Sequence, residues 1–322
     1  MAKLVISADI HFCKRESLVE NRYPFLQKSI AWADAIEGTH IDLGDFFNAS
    51  SLSAEDVAVL ESIKFKSMWH CIAGNHEQDG SNSLLKYFRD MHFLYEKPQI
   101  KNMGKEIGWV LFLPFMKEPQ SLEVYLKTLP KTEQVIVFSH CDFIGMFGAE
   151  TGFKVDDIEK DPRIRMWFNG HYHQRAILGQ KTVVVGNMVG KNFTQNLEEH
   201  GVCVYDMETN TYEFVENPYA LCFGKMDTSQ PSCKNIRKLV EGDAERRYVL
   251  AIQTDPELKD DMKKWADKYL VASRILSGVV GGTGVSLSDS TDTPLTIDHV
   301  ELFYKEVVSR FGEGIANAIR QA

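Results

Sequence analysis

The sequence predicts an α/β fold in which two sheets pack face to face with helices outside them, followed by a small α+β domain and a C-terminal helix. Over the first two-thirds of the 322 residues, short β-rich segments alternate with helical patterns. The β-rich segments that follow have no long helical pattern between them, which is typical of a second sheet. The length exceeds what one compact core usually organises, so about two domains are expected.

Strands and two helices are predicted for the first part of the chain from its apolar patterning. Residues 29–36 carry a helical pattern. Ser53 and Asp56 have the spacing of a capping box, which would open a helix that carries Val57 and Leu60 inward. The predicted strands cover residues 3–8, 41–43, 68–73, 109–113, 135–139, 166–168, 182–185, 201–205 and 211–215.

The C-terminal third changes composition twice. The polar, turn-rich segment 224–235 predicts a domain boundary. A strand over 247–253, a helix beginning at Asp255 and Pro256, and a strand over 274–280 form a βαβ-like unit. One face of that helix carries Leu258, Met262, Trp265 and Tyr269. The predicted units are a main domain at 1–223, a small domain at 236–280, a Gly- and Ser-rich flexible linker at 281–294 and a C-terminal helix at 295–322.

Composition and charge exclude several classes of protein. A hydrophobic fraction of 44% with 25% charged residues excludes a disordered chain. No apolar run reaches the roughly 18 residues of a membrane span, and the first residues lack a secretory signal, so a cytoplasmic location is expected. The six cysteines form no CxxC pair, which predicts reduced, mostly buried thiols. Because the net charge is −9, a phosphate-bearing substrate must be held by a local feature such as a metal cluster.

Five short motifs lie at or just after the ends of predicted strands. They are Asp9-Ile10-His11, Gly44-Asp45, Gly74-Asn75-His76-Glu77, Ser139-His140 and Gly170-His171-Tyr172-His173. Each motif alone is compatible with an ordinary turn. Because strand-terminal loops of an α/β sheet are where ligands bind, the five together predict one shared site.

The residue types in these motifs predict a pair of metal ions. Carboxylate, imidazole and amide ligands suit manganese, iron or zinc, and they are too many for one ion. Two ions about 3.5–4 Å apart need a bridging carboxylate and several terminal ligands, and such pairs serve hydrolysis at phosphorus. Gly44, Gly74 and Gly170 fit as positions of sharp turns or close approach. The other histidines are expected in the core or on the surface: His40, His70, His92, His200 and His299.

The motif series resembles the calcineurin-like metallophosphoesterase superfamily, whose motifs run D-x-H, GD, GNH[DE], a later H and GHxH. Within it, the chain is similar to the SbcD-type DNA repair exonuclease subunit, including the shorter versions that phages encode. The features that carry this second resemblance are QRAIL after GHYH, and then VVVGNMVGKNFTQNLEEHGVCVYD. It covers about the first 220 residues, whereas the small domain and C-terminal helix resemble that family's capping domain and partner-binding tail only in architecture.

The resemblance implies a role for each motif. The first metal ion would be held by Asp9, His11, Asp45 and His173. The second would be held by Asp45, Asn75, His140 and His171, so that Asp45 bridges. His76 would not be a ligand but would point at the scissile phosphate, where it stabilises charge or assists the leaving oxygen. Cys13 and Asn48 depart from the family pattern, and Asn48 leaves the balance between exonuclease and endonuclease activity open.

The function that the resemblance implies is a manganese-dependent DNA nuclease that hydrolyses phosphodiester bonds with two metal ions. Its partners would be DNA and an SbcC-type coiled-coil ATPase that docks on residues 295–322, with an intramolecular role for that helix as the alternative. Whether the chain forms a homodimer is left open. The competing functions are a phosphodiesterase or phosphatase acting on nucleotides or phosphoproteins, and a non-catalytic scaffold.

Cationic and aromatic residues near the motifs are candidates for holding DNA. Each is also compatible with an ordinary surface or core position. The cations are Lys14, Arg15, Arg22, Lys154, Arg163, Arg165 and Arg175, and the aromatic candidates for stacking on a base are Phe143, Phe147 and Phe153.

Overall fold

Two six-stranded mixed sheets, each flanked by helices, and a smaller parallel sheet make up the computed structural model, which confirms the predicted fold class. It describes residues 2–48, 51–79, 82–83, 92–146, 148–193 and 200–277. The predicted linker at 281–294 and C-terminal helix at 295–322 lie outside the described residues.

The strands and helices have the following limits. The strands are β1 (Lys3–Ser7), β2 (Thr39–Asp42), β3 (His70–Ile72), β4 (Gln78–Asp79), β5 (Asn82–Ser83), β6 (Phe93–Tyr95), β7 (Gln99–Asn102), β8 (Trp109–Leu113), β9 (Val135–Ser139), β10 (Ile164–Asn169), β11 (Ala176–Ile177), β12 (Thr182–Val184), β13 (Gly201–Asp206), β14 (Thr211–Glu216), β15 (Cys222–Asp227), β16 (Tyr248–Thr254) and β17 (Ala272–Ser277). The helices are α1 (Tyr23–Asp34), α2 (Ala54–Ser62), α3 (Leu122–Leu126), α4 (Val155–Lys160), α5 (Ser232–Glu241) and α6 (Lys259–Tyr269).

The carboxyl ends of the parallel strands in both large sheets meet at one edge of the sandwich. The first sheet has the order β14-β13-β1-β2-β3-β6, in which β1, β2, β3 and β6 are parallel. The second has the order β11-β12-β10-β9-β8-β7, in which β8, β9, β10 and β12 are parallel. Backbone hydrogen bonds join the two edges, since Phe115 after β8 donates to Ala73 after β3, and Met188 donates to Ala8.

Alternation along the strands divides the interior into layers. Leu4 and Ile6 of β1 are fully buried against the second sheet, where they pack with Phe112 and Phe138. Val5 points to the opposite face and packs among residues of α1 and α2. The outer face of the second sheet is covered by α3 and α4. Because both faces of each sheet are covered, the central strands are continuous apolar runs.

Several local predictions are confirmed. β8 and β9 have the predicted limits, and Ser53 and Asp56 form the capping box, with Asp56 N donating to Ser53 Oγ at 3.1 Å and Ser53 N to Asp56 Oδ2 at 2.8 Å. Leu60 is buried, whereas Val57 is only half-buried. The helix predicted over 29–36 is the second half of α1, which begins six residues earlier at Tyr23 and ends at Asp34.

The small sheet contains the predicted βαβ unit and one βα unit that the sequence did not predict. β16, α6 and β17 form the expected unit with parallel strands. β15 pairs in parallel with β16, and α5 connects them. Both elements overlap the polar segment 224–235, whose turn residues form the link between β15 and α5, while the predicted domain limits stay a prediction. Leu258 lies in a 3₁₀ turn before α6 and is 44% exposed, so it is not part of the helix face that was predicted to carry it.

The cysteines behave as predicted. All six are free thiols, and every one but the half-buried Cys13 is buried. Within the described ranges, no helix combines the length and the apolar character needed to cross a membrane.

Candidate metal centre

All the motif residues lie on loops that follow strands at the shared edge. Asp9 and His11 follow β1, Asp45 follows β2, Asn75 and His76 follow β3, His140 follows β9, and His171 and His173 follow β10. The edges are tied together here, because His140 Nδ1 lies 2.8 Å from the carbonyl oxygen of Leu43 after β2. The fold therefore brings residues that are up to 164 positions apart to one place.

One group of side chains joins β1, β2 and β10. His11 Nε2 lies 2.9 Å from His173 Nε2, and each of these nitrogens lies 4.0 Å from Asp9 Oδ1. His11 Nε2 is also 4.0 Å from Asp45 Oδ2. The four residues are the set that the family resemblance implies for a first ion.

A second group joins β2, β3, β9 and β10. Asn75 Oδ1 lies 3.0 Å from both His140 Nε2 and His171 Nδ1, and these two nitrogens are 3.2 Å apart. Asp45 Oδ2 is 3.4 Å from His140 Nε2. Asp45 thus belongs to both groups, which is the position predicted for a bridging carboxylate.

His76 stands beside Asp45 at the mouth of the site, with 31% of its side chain exposed. Its Nε2 is 3.8 Å from Asp45 Oδ2, and its Nδ1 is 2.7 Å from the carbonyl oxygen of Asn48. Since a carbonyl only accepts, Nδ1 carries the proton of that hydrogen bond. Asn48 thus orients His76 through its backbone, while its side chain donates to Glu16 at 3.0 Å. With His11 and Asp45, His76 is also close enough to share an ion, so its role as a non-ligand stays a prediction.

The loops hold four site residues in left-handed backbone conformations. The φ angles are 51° at Asp9, 48° at His11, 51° at Asp45 and 71° at His171. Such conformations are uncommon outside glycine and cost about 1–3 kcal/mol each. Backbone hydrogen bonds hold them, with Asp9 N donating to Gly44 O at 3.0 Å and His11 N to Asp45 O at 2.9 Å. These backbone conformations direct the four side chains toward the site.

Two of the motif glycines are required by close approach. A Cβ on Gly74 would collide with the carboxylate and backbone nitrogen of Asp45. A Cβ on Gly44, whose φ is 95°, would lie 2.9 Å from His140 Nδ1. The predicted close approach at these glycines is confirmed.

Glu77 has a structural role that sequence reasoning did not assign. Its fully buried carboxylate accepts backbone hydrogen bonds from Gly74 at 2.7 Å, Phe47 at 2.7 Å and Asp45 at 3.0 Å. Burial, with a contribution from Asp45, raises the pKa of Glu77 to about 8. Glu77 therefore ties the loops after β2 and β3 to each other.

The electrostatics are those of buried acids and bases in contact. Burial raises the pKa of Asp9 to about 8 and lowers that of His173 to about 3. Burial also acts to raise the pKa of Asp45 and to lower that of His140, but the attraction between the two dominates. The pKa of Asp45 is consequently lowered below its usual range, and that of His140 is raised to about 10.

The residues fit a pair of divalent cations. Both carboxylate oxygens of Asp9 are buried and have no hydrogen-bond partner among the described residues. Buried polar atoms normally have a partner, and Oδ1 lies 4.0 Å from the Nε2 atoms of His11 and His173, which can also donate a lone pair. Imidazole, carboxylate and amide donors suit a divalent transition metal. The clustered His and Asp side chains therefore form a candidate dinuclear metal site.

The positions of five of the ten candidate DNA contacts argue against that role, and the others stay predictions. Arg22 is fully buried and donates to the backbone oxygens of His11 at 2.8 Å and Gly190 at 3.3 Å. Arg163 and Arg165 lie at the start of β10, the opposite end from His171. Phe143 and Phe153 are buried in the core, and Phe147 lies outside the described residues. The other cations are in ion pairs, Lys14 with Glu55, Arg15 with Glu20 and Arg175 with Glu216, except Lys154, which is exposed.

Phe115 and Lys191 lie near the site and were missed. The half-buried ring of Phe115 has its centroid 5.7 Å from that of His171 and 6.3 Å from that of His140. Second to burial, the charge of Lys191 lowers the pKa values of His11 and His173. Phe115 follows β8 closely, so the strand-end rule that found the motifs would also have found it. The four described histidines outside the motifs, His40, His70, His92 and His200, are buried as expected, and His299 lies outside the described residues.

Comparison with known proteins agrees with this geometry. A family model described as calcineurin-like phosphoesterase matches residues 2–175. The match includes all five motifs and more than half of the chain. Among curated proteins, no match was found.

Proposed function

The chain belongs to the calcineurin-like phosphoesterase family, and on that basis we propose that it is a manganese-dependent DNA nuclease. The family and the His/Asp cluster make it a metal-dependent phosphoesterase. The observation that carries the proposal is the pair of side-chain groups that share Asp45 at the joined edge of the two sheets. It is the arrangement that two-metal hydrolysis of a phosphate ester requires.

Seven side chains would hold the ions. Asp9, His11, Asp45 and His173 would hold the first, and Asp45, Asn75, His140 and His171 the second. Ions held there supply Lewis-acid activation of water and neutralise charge on the phosphoryl oxygens. Manganese is favoured over magnesium because imidazole supplies four of the seven ligands, whereas magnesium prefers oxygen and releases its waters reluctantly.

His76 is placed to assist the leaving oxygen. Its Nδ1 proton is engaged by the carbonyl of Asn48, which fixes the ring and directs Nε2 toward Asp45. The exposed part of the ring faces the solvent from which a substrate enters. When the ring is protonated on both nitrogens, the proton on Nε2 can be donated to a phosphoryl or leaving oxygen, a contact that strengthens as charge develops there.

Two neighbours of the site support a nucleic-acid substrate. Phe115 beside His171 offers an aromatic face at the site mouth, and base stacking on such a face is tolerant of sequence. Lys191 places a positive charge near His11 and His173, where it can contact a backbone phosphate. Local binding of this kind fits a chain whose net charge is −9.

The substrate proposal is tested by comparing classes of phosphate ester under one condition. With manganese, the protein should degrade an end-labelled single-stranded oligonucleotide faster than a phosphopeptide or a nucleotide monophosphate. Asp45→Asn provides the blank. A phosphopeptide or monophosphate hydrolysed with the higher kcat/KM would replace the nuclease by a phosphatase, and no manganese-dependent hydrolysis of any of them would favour the scaffold.

We further propose that residues 295–322 dock on an SbcC-type coiled-coil ATPase. A helix predicted there would follow the predicted linker at 281–294, which lets it reach a partner. Its apolar stripe contains Val300, Tyr304, Val307, Val308, Phe311 and Ile315. Deleting everything after Thr293 should leave manganese-dependent cleavage of short single strands intact and abolish co-purification with the ATPase. Undiminished binding, or failure of the truncated protein to fold, would assign the helix an intramolecular role.

A further inference from the structure

The two ring nitrogens of His171 face different partners. Nδ1 lies 3.0 Å from Asn75 Oδ1 and 3.2 Å from His140 Nε2, inside the second group. Nε2 lies 3.1 Å from Asp142 Oδ1, on the outer side of the ring. Asp142 belongs to none of the five motifs, and its side chain is 30% exposed.

The Asp142 contact selects the tautomer of His171. An ionised carboxylate only accepts hydrogen bonds, so a neutral His171 that is bonded to Asp142 carries its proton on Nε2. Its lone pair then lies on Nδ1, the nitrogen that faces Asn75 and His140. Histidines that ligate metals usually donate their other N–H to a carboxylate or carbonyl, which fixes the ring and raises its basicity.

On this geometry, which rests on the metal-dependent function proposed above, we propose that Asp142 is a positioning residue for the second ion. It holds His171 as the Nε2–H tautomer and is not itself a ligand, because the imidazole ring stands between its carboxylate and Asn75. The corresponding partner of His140 Nδ1 is the carbonyl oxygen of Leu43 at 2.8 Å. Each imidazole of the second group is thus oriented by a partner at the ring nitrogen that faces away from Asn75.

The loop after β9 is built to keep Asp142 in place. Phe153 N donates to the carbonyl oxygen of Asp142 at 3.0 Å, and Phe143 pairs with Phe153 in a short bridge. The hydroxyl of Tyr172 accepts from Phe143 N at 2.8 Å and lies 3.5 Å from Asp142 Oδ1. A Cβ on Gly152, whose φ is 119°, would collide with the Asp142 carbonyl.

This loop also explains two aromatic residues that sequence reasoning assigned to DNA stacking. The rings of Phe143 and Phe153 are 0% and 6% exposed and pack with Trp167 beneath the loop. They anchor the backbone that carries Asp142. Tyr172, which lies between the two histidines of the Gly-His-Tyr-His motif, also holds this loop in place through its hydroxyl.

The test compares two substitutions of one residue. Asp142→Ala removes the acceptor, whereas Asp142→Asn retains a carbonyl oxygen that can accept from His171 Nε2. Loss of such an outer partner typically weakens metal affinity about 10–100-fold. In a calorimetric manganese titration, Asp142→Ala should weaken one of two binding events by that factor, and Asp142→Asn should restore most of it. Asp157→Ala removes an exposed carboxylate of α4 and should bind like the wild type.

A second measurement reads the tautomer directly in the metal-free protein. Nitrogen-15 NMR of His171 should show the Nε2–H form in the wild type and in Asp142→Asn, with a larger share of the Nδ1–H form in Asp142→Ala. An unchanged tautomer with unchanged affinity in Asp142→Ala would overturn the proposal, as would an Asp142→Asn variant as weak as Asp142→Ala. Two manganese ions bound without DNA cleavage would remove the nuclease proposal and leave this one standing.

Discussion

Replacement of Glu77 tests how the site is held together. Its buried carboxylate is the shared acceptor for the backbone nitrogens of Gly74, Asp45 and Phe47. Asp45 and Phe47 lie in the loop after β2, and Gly74 lies in the loop after β3. Removing the carboxylate therefore releases two loops that carry two of the predicted ligands, Asp45 and Asn75, and His76.

The size of the effect follows from the number of donors. A buried backbone N–H left without a partner costs about 1–3 kcal/mol. Glu77→Ala leaves three of these N–H groups without an acceptor, so the free energy of unfolding of this variant should fall by roughly 3–9 kcal/mol. That loss is close to the total stability of about 5–15 kcal/mol of a typical domain. Glu77→Gln can keep two bonds through its carbonyl oxygen but turns its amide NH₂ toward the third donor, so about 1–3 kcal/mol should be lost.

Chemical denaturation of the metal-free proteins measures the free energy of unfolding of the two variants. Manganese content after reconstitution shows whether the two loops still hold the site residues in place. Glu118→Gln, at an exposed glutamate, is the matched control and should change neither quantity. Glu77→Gln should unfold at lower denaturant concentration and retain less manganese. If Glu77→Gln matched the wild type in both, or if Glu77→Ala were no less stable than Glu77→Gln, the assigned role of the carboxylate would be refuted.

Further predictions concern the ligands, the metal and pH. Asp45→Asn should abolish hydrolysis by losing bound metal, and full occupancy with normal turnover would show that Asp45 is not a ligand. His76→Ser should keep its metal and bind DNA while kcat falls about 10²–10⁴-fold, whereas loss of metal would make it a ligand. Manganese should support faster hydrolysis than magnesium at matched concentration, and equal rates would count against a histidine-built site. Burial lowers the pKa of three core histidines from 6.5 to about 4: His70, His92 and His200. Because the unfolded chain then binds more protons as the pH falls below 6.5, each of these histidines lowers the unfolding free energy by about 1.4 kcal/mol between pH 7.5 and 5.5, whereas the raised pKa values of Asp9 and Glu77 act in the opposite direction. Over that range, the unfolding free energy of the wild type should therefore change by about 1.4 kcal/mol less favourably than that of His92→Gln, and an equal change in the two proteins would contradict this.

Local sequence patterning was sufficient to predict most strands and helices of the sandwich. The apolar runs of β8 and β9 are buried on both faces, so composition alone located their ends. The capping box of α2 is equally local, since Ser53 and Asp56 lie within one helical turn. β15 and α5 were missed because the turn residues that join them, at 228–231, made the whole polar segment 224–235 resemble a domain boundary.

The motif residues were predictable for a different reason. Each lies immediately after a strand, and parallel strands deliver their carboxyl ends to one edge whatever the intervening sequence. Asp9, Asp45 and His140 could therefore be grouped before their distances were known. Asp142 carries no such signal, because it belongs to none of the motifs and a single carboxylate near a motif is equally compatible with a solvated loop. Glu77 lies within a motif, but nothing in its position predicted that its carboxylate would bind backbone N–H groups of two loops.

By itself, the sequence determined that this chain forms an α/β sandwich and which side chains could hold metal at its edge, because periodicity and strand-end position are local properties. Only the tertiary structure decided which atoms face each other. It buried Arg22 behind His11, turned Phe143 and Phe153 into the core, and set Asp142 against the outer nitrogen of His171. Those outcomes depend on contacts between segments far apart in the chain, and the energy of such a contact resides in the pair, not in either residue alone.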